Sequence, residues 1–340
     1  METMDKKGYT PLEIVDKRAW REDFFSLFFH SPLLTSSLRS GHFLMVRDLD
    51  APTLLSRPFS MGRLFHDEGV FELFFQVVGK GTESMARKRV GDTLSILGPL
   101  GKPFPLEKPG RILLIAGGRG ISPFLSALPT LAKTKRDFSL LYGAKTARTL
   151  LFRPFLADFP VSYRTDDGSF GQHGLVVDGL SREVDLVFAC GPEKMLERVA
   201  LFYKDLSTEV YLSLEERMGC GTGICYGCAR KVRTDRGVEM VRVCEEGPVF
   251  EASKVVWDEL SLLLHRFPPV SQPRRPRLGN RRLRLRIGAL YRPRPSGRFH
   301  HQRDLPGTSG GKPLPPGLRN PLGDVERHWV AGNRHGSLQG

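Results

Sequence analysis

The sequence predicts an α+β multidomain chain: an antiparallel β-barrel, a parallel α/β domain, a small cysteine-rich domain and a disordered, basic C-terminal tail. Three observations carry this. Short apolar stretches punctuated by glycine and proline fill the segment from Tyr9 to about Phe104. An apolar strand, a glycine turn and a helical stretch open the segment from about Gly110 to Lys204, and further strands follow. Four cysteines lie close together between Cys220 and Cys244. At 340 residues the chain is long enough for two or three domains with cores of their own.

In the first segment the expected strands are Phe24–His30, His42–Val46, Val70–Val78 and Thr93–Leu97. Several short strands with few helices suggest a barrel. The second segment opens on the strand Arg111–Ala116. The turn Gly117-Gly118-Arg119-Gly120 and a helical stretch Ser122–Leu131 follow. Phe138–Tyr142 and Asp185–Ala189 are the next strands, and strands alternating with helices make a parallel sheet. The third segment, Ser207 to about Leu260, holds the cysteines.

The net charge of +14 invites a nucleic-acid reading, but its distribution undoes it. From Arg266 to Gly340 there are 16 Lys+Arg against 3 Asp+Glu, so the first 265 residues carry a net charge of only +1. The tail is rich in Pro, Arg and Gly and has no sustained apolar period, the composition of a disordered segment or a basic arm. No apolar run reaches the ~18–20 residues of a membrane span.

Cys220, Cys225, Cys228 and Cys244 stand as C-x4-C-x2-C-x15-C. Three thiolates that close can converge only on one small centre, and this is the plant-type spacing for a [2Fe–2S] cluster. Gly219, Gly221, Gly223 and Gly227 let the loop curl and aim N–H groups at the sulfurs. A zinc site also takes four thiolates, usually as two short hooks, whereas Cys244 stands alone. Paired disulfides suit a small secreted domain, and no signal peptide opens the chain. The expected compartment is therefore the reducing cytoplasm, with Cys190 not needed as a ligand.

Three further motifs bear on cofactors. Arg57-Pro58-Phe59-Ser60 follows a strand and a loop. Ala116-Gly117-Gly118-Arg119-Gly120-Ile121-Ser122-Pro123 is a strand–turn–helix unit whose helix N-terminus favours a phosphate. Cys190-Gly191-Pro192-Glu193-Lys194-Met195 follows the last strand of the second segment. Together with the domain order, these resemble the ferredoxin-reductase-like flavoproteins. The resemblance implies that Arg57, Pro58, Phe59 and Ser60 bind FAD, Arg57 at the pyrophosphate and Ser60 by the reactive edge of the flavin. It adds Phe74, Phe75 and Gln76 on a second contact strand, and Gly81-Thr82 in a downstream turn. Gln76 departs from the basic residue often found there, and Phe74 and Phe75 also read as plain strand core. Gly117, Gly118 and Gly120 match the family's nicotinamide-binding turn. Cys190, Gly191 and Pro192 match a motif lying near nicotinamide and flavin; a buried strand-end thiol is the alternative reading of Cys190.

The stretches Ser213–Met218, Arg242–Phe250 and Thr165–Ser169 narrow the resemblance to the electron-transfer subunits of bacterial type 1B dihydroorotate dehydrogenases, over roughly residues 8–260. It implies an FAD-binding barrel over 8–104, an NAD-binding α/β domain over 105–206 and a [2Fe–2S] domain over 207–260. In that family an FMN-containing catalytic subunit oxidises dihydroorotate in pyrimidine biosynthesis. Electrons cross the [2Fe–2S] cluster and FAD to NAD+, in a heterotetramer with two of each chain. No acid–base residue for dihydroorotate is expected here, and no catalytic residue is assigned. The small subunit of NADH-dependent ferredoxin:NADP oxidoreductase, or sulfide dehydrogenase, shares the layout but typically has Asp as first ligand, where this chain has Cys220. A redox sensor with a nucleic-acid-binding tail is the reading from another class; it needs no nicotinamide site.

The tail, residues 261–340, reads as a frame-shifted translation. Arg319–Ala331, back-translated and shifted by one base, permits Glu-Thr-Pro-Ser-Gly-Met-Leu-Asn-Ala-Ile-Gly-Leu-Gln, which resembles a motif of the catalytic subunit. On that reading the basic excess carries no function, and neither a membrane nor a specific nucleic acid is a partner.

Overall fold

A computed structural model describes residues 8–257. The tail and the reading placed on it lie outside the described residues. Among those residues no helix is long and apolar enough to cross a membrane.

The first six strands close a barrel. They are β1 (Thr10–Arg21), β2 (Phe24–His30), β3 (Phe43–Arg47), β4 (Arg57–Phe65), β5 (Val70–Gln76) and β6 (Thr93–Leu100). Their order is β1-β2-β5-β4-β3-β6, every pair antiparallel, with β6 returning to β1. β1 is the closing strand. Its first residues pair with β6, its remainder with β2, and register shifts after Ile14 and Ala19 bend it between the two. Helices α1 (Pro32–Ser37) and α2 (Lys80–Arg87) interrupt the meander. Leu27, Phe29, Leu44, Met61, Phe71, Leu73 and Phe75 fill the interior.

β2 is apolar at five of its seven positions because it is buried on both faces; Ser26 and His30 are the exceptions. Leu27 and Phe29 point into the barrel, while Phe24 packs with the following domain. Glu72, fully buried on β5, is held by Arg63 (Nε to Oε2, 2.7 Å) and by the Ser26 hydroxyl, which in turn accepts from Trp20 Nε1 at 2.7 Å. The Arg63 guanidinium lies 5.5–5.9 Å from the rings of Trp20, Phe28, Phe65, Phe152 and Phe155. This buried ion pair therefore also ties the barrel to the next domain.

That domain is a seven-stranded sheet. β7 (Ile112–Gly117), α3 (Phe124–Lys133), β8 (Phe138–Ala144), α4 (Arg153–Leu156), β9 (Val161–Thr165), β10 (Gln172–His173), β11 (Leu186–Cys190), α5 (Glu193–Tyr203) and β12 (Glu209–Ser213) follow in turn. The described chain goes on with the hairpin β13 (Ala229–Thr234) and β14 (Gly237–Arg242), α6 (Val243–Glu246) and β15 (Val249–Glu251). Sheet order is β10-β9-β8-β7-β11-β12-β15, parallel except for the last pair. Ile112 and Leu114 face the core shared with α3, and Leu113 and Ile115 face α5 and the cysteine lobe, as the two-residue period of a strand requires.

Three expectations change. The sheet is mixed, because β15 runs antiparallel to β12. It also continues past residue 206: β12 pairs with β11, and β15 adds the edge, so two strands placed in the cysteine segment complete the preceding sheet. The reason is non-local pairing. Apolar residues at Val210, Leu212 and Phe250 find burial only against β11 and α5. The expected helix Ser122–Leu131 begins later, at Phe124, because the chain first makes a 3₁₀ turn over Gly118–Ile121 and Pro123 takes the N-cap.

Candidate functional site

Arg57, Pro58, Phe59 and Ser60 open β4, and Phe74, Phe75 and Gln76 close the adjacent β5. The chain then turns at Gly79 into α2, whose second and third residues are Gly81 and Thr82. All nine line one cleft of about 430 Å³ between the barrel and the α/β sheet. Its far side is Arg119, Ser122 and Cys190 from the sheet's glycine turns, with Ser213, Leu214, Glu215, Glu216 and Met218 from the chain after β12.

One end of the cleft is built for an anion. The Arg57 side chain donates to the carbonyls of Leu55 and Ser56, which holds the guanidinium beside Gly81; a Cβ there would lie 3.3 Å from Nε. Thr82 Oγ1 accepts from the Val78 and Gly79 nitrogens at 2.9 and 3.2 Å and fixes the turn. A guanidinium and a helix N-terminus thus face the same space. Phe74 and Phe75 are 5% and 2% exposed. Phe74 packs on Phe24 and Phe152, and Phe75 on Phe25 and Phe59. Their rings are core, so they meet the cleft along their strand. Gln76 Nε2 donates to Asp23 at 2.7 Å, leaving Oε1 to accept from Arg119 at 3.4 Å.

The glycine turns meet backbone to backbone because β7 and β11 are parallel neighbours. A Cβ on Gly120 would lie 2.7 Å from the Gly191 nitrogen and closer still to the Cys190 carbonyl; one on Gly117 would lie 2.8 Å from Pro192 Cδ. Gly118, at φ +54°, has nothing within 4 Å of a Cβ position and leaves the turn open. Burial pushes the Cys190 thiol well above the usual range, and it stays neutral at the cleft wall. Ser122 Oγ donates to the Met61 carbonyl at 3.1 Å, bonding sheet to barrel across the cleft floor.

Next to this cleft the four remaining cysteines form two pairs. Cys225 N donates to Cys220 Sγ at 3.4 Å, and Cys244 N to Cys228 Sγ at 3.5 Å. Thr222 N reaches Cys220 Sγ at 3.4 Å, and Gly223 N reaches Cys244 Sγ at 3.2 Å. Burial opposes ionisation of Cys220, but the N–H groups of Thr222 and Cys225 outweigh it and bring the thiol down to about 6. Among the described residues no three His, Cys, Asp or Glu side chains gather at one ion-sized point. Two thiol pairs ringed by N–H donors suit two irons, each taking two thiolates. Cys228 and Cys244 are buried, while Cys225 is exposed between Ile224 and Tyr226, which are 81% and 57% exposed.

Cleft and cysteines share a wall. Leu214–Met218 lines the cleft, Gly219 follows, and Cys220 is the next residue. A Cβ on Gly221 would lie 3.0 Å from Met45 Sδ, so the loop rests directly on the barrel. In the sequence Ser213–Met218 stands out only by its likeness to the family, and Arg119, Ser122 and Lys80 have no predicted role. The hydroxyl of Ser122 inside the glycine turn was the one available signal.

The family model for the iron–sulfur cluster binding domain of dihydroorotate dehydrogenase B matches residues 215–256, and that for the oxidoreductase NAD-binding domain matches 114–200. The dihydroorotate dehydrogenase B (NAD(+)) electron transfer subunit of Geobacillus thermodenitrificans is 35% identical over 257 residues, 73% of this chain and 99% of the relative. That of Streptococcus mutans is 32% identical over 254 residues, 73% and 98% of the two. Among solved structures, a chain of an NADH-dependent reduced ferredoxin-NADP oxidoreductase superposes with a TM-score of 0.65 at 31% identity, covering 75% of this chain and 93% of that one.

Proposed function

The chain belongs to the family of dihydroorotate dehydrogenase B electron-transfer subunits, and from that premise we infer that it carries electrons from a dihydroorotate-oxidising catalytic subunit to NAD+ in pyrimidine biosynthesis. When bound, the [2Fe–2S] cluster passes single electrons and FAD exchanges them for the two-electron chemistry of NAD+. Cys220, Cys225, Cys228 and Cys244 hold the cluster in two pairs. Arg57 and the α2 N-terminus hold the FAD pyrophosphate. Ser60 and the strand ends at Phe74–Gln76 flank the isoalloxazine. Gly117, Gly118 and Gly120 admit the nicotinamide dinucleotide, and Cys190 keeps a neutral, water-excluding wall beside it. No residue is assigned to proton transfer from dihydroorotate.

The shared wall carries this reading: one ribbon lines the flavin cleft and delivers the first cluster thiol. The exposed Ile224–Tyr226 tip is the docking face for the FMN-bearing subunit, in a cytoplasmic heterotetramer with two of each chain. A second reading, the small subunit of an NADH-dependent ferredoxin:NADP oxidoreductase, is supported by the structural likeness to such an enzyme; Cys220 at the first ligand position weighs against it. The test is anaerobic purification with flavin, iron and sulfide analysis, then mixing with the catalytic subunit of the same genome. One FAD, two irons and two sulfides per chain, with NAD-linked dihydroorotate oxidation on mixing, are expected. Zinc without sulfide, or no coupling on mixing, would refute the assignment.

A further inference from the structure

One side chain touches every part of the four-cysteine loop. Arg242 ends β14, two residues before the fourth thiol. Its Nη1 donates to the Gly223 carbonyl at 3.1 Å, between the first and second cysteines. Its guanidinium lies 5.1 Å from the ring of Tyr226, between the second and third. Its Nη2 lies 2.7 Å from Glu246 and 3.0 Å from Glu245, just after the fourth. The Arg242 backbone nitrogen donates to Glu246 as well, at 2.8 Å, so the α6 turn is gripped twice.

Two backbone features fit this grip. Tyr226 sits at φ +55°, a left-handed conformation that a residue with a side chain rarely adopts and that needs a compensating contact. The ring it presents to Arg242 is one. Gly223, at φ +78°, brings its carbonyl to Arg242 while its nitrogen donates to Cys244 Sγ at 3.2 Å. One residue therefore links the guanidinium to the fourth sulfur. Glu245 and Glu246 follow Cys244 directly in the chain and share Arg242 as their counter-charge.

We propose that Arg242 is the positioning residue of the cluster site: it clamps the C-x4-C-x2-C loop onto the turn carrying Cys244 and supplies the positive charge that offsets the two neighbouring carboxylates. This rests on the reading of the four thiols as cluster ligands. A planar fork is needed, because a lysine ammonium cannot reach a carbonyl, a ring face and two carboxylates from one stem.

The experiment compares full-length wild type, R242A and R242K, purified anaerobically, with FAD absorbance reporting folding. Two readings are taken: iron release to a chelator, and the midpoint potential of the cluster by EPR-monitored titration. R242A should release iron roughly tenfold faster, the lower end of what outer-shell partners of a metal site contribute. Its potential should fall, because two uncompensated carboxylates disfavour the added electron. R242K should restore the potential while still releasing iron faster than wild type. If R242A does not accumulate, R242K carries the test on the same two readings. Wild-type iron release in R242A or R242K would overturn the proposal, as would faster release from R242A at an unchanged potential. Iron-free wild type would instead overturn the reading beneath it.

Discussion

Gly120→Ala adds a single methyl group at the tightest contact between the two glycine turns. Its Cβ would lie 2.7 Å from the Gly191 nitrogen and closer to the Cys190 carbonyl. Neither atom can yield by a rotamer change. Cys190 is paired with Ala116 on one side and Ser213 on the other, in the middle of the sheet. The turns must part, at roughly 1–3 kcal/mol for overpacking of a fitted contact. At about 2–4 °C per kcal/mol for 150–250 residues, Tm should drop by roughly 2–12 °C. Parting the turns also opens the mouth meant for the dinucleotide, so KM for NADH should rise. Gly237→Ala is the matched control. It sits at φ +110° with nothing within 4 Å of a Cβ position, on the β13–β14 hairpin. It should lower Tm through strain and leave KM alone. Differential scanning fluorimetry and NADH-driven reduction of an artificial acceptor measure both. A wild-type Tm in Gly120→Ala, or a KM shift no larger than that of Gly237→Ala, would refute the reasoning.

Other outcomes follow from the site and core. Arg57→Ala should weaken FAD retention by about 1.5–3 kcal/mol, the worth of a charged hydrogen bond, and release flavin on gel filtration; full retention would remove Arg57 from the site. Serine at Cys220, Cys225, Cys228 or Cys244 should abolish the cluster's visible absorption, while Cys190→Ser keeps it; cluster loss in Cys190→Ser would change the ligand set. Arg63→Met leaves Glu72 buried and bound only by Ser26 and the backbone N–H of residue 63, and should cost about 3–5 kcal/mol; a Tm within 2 °C of wild type, by the same conversion, would show that the pair contributes little. Because burial raises the Cys190 thiol in the folded chain, the unfolded chain ionises first, near about 8.5. The associated stability is complete below that pH and declines above it. Wild type should therefore lose Tm more steeply than Cys190→Ser between about pH 8 and 10, and equal slopes would disprove the linkage.

What could be read from the chain was what local pattern encodes. Phe24–His30 coincides with β2 because burial on both faces left it apolar at every position but Ser26 and His30. The cysteine spacing points to one centre because the first three cysteines share one loop. β1 escaped notice because its partner changes midway and its bulges break alternation, so Lys17 and Arg18 fall within a strand that looks polar. β12 and β15 are not marked as strands by the local pattern because their pairing joins residues about forty positions apart. Arg119, Glu215 and Arg242 gain their positions from the topology, and no local rule marks them in advance.

The cysteine lobe leaves the sheet after Ser213 and returns at Val249, and these two residues are register partners, with Leu214 N donating to the Pro248 carbonyl at 2.9 Å. It is pinned again on the barrel, where Lys102 bridges Pro248 and Gly221 meets Met45. Arg230 of β13 binds Glu193 of α5 at 2.6 Å and Glu216 of the shared wall at 2.9 Å. A body tethered at three places cannot commute. Carriers that swing between donor and acceptor slow down in glycerol because their travel is diffusive. With cluster and flavin bound as proposed, the gap between them is built in, so internal transfer should be indifferent to solvent viscosity, and only the meeting with a partner subunit should feel it.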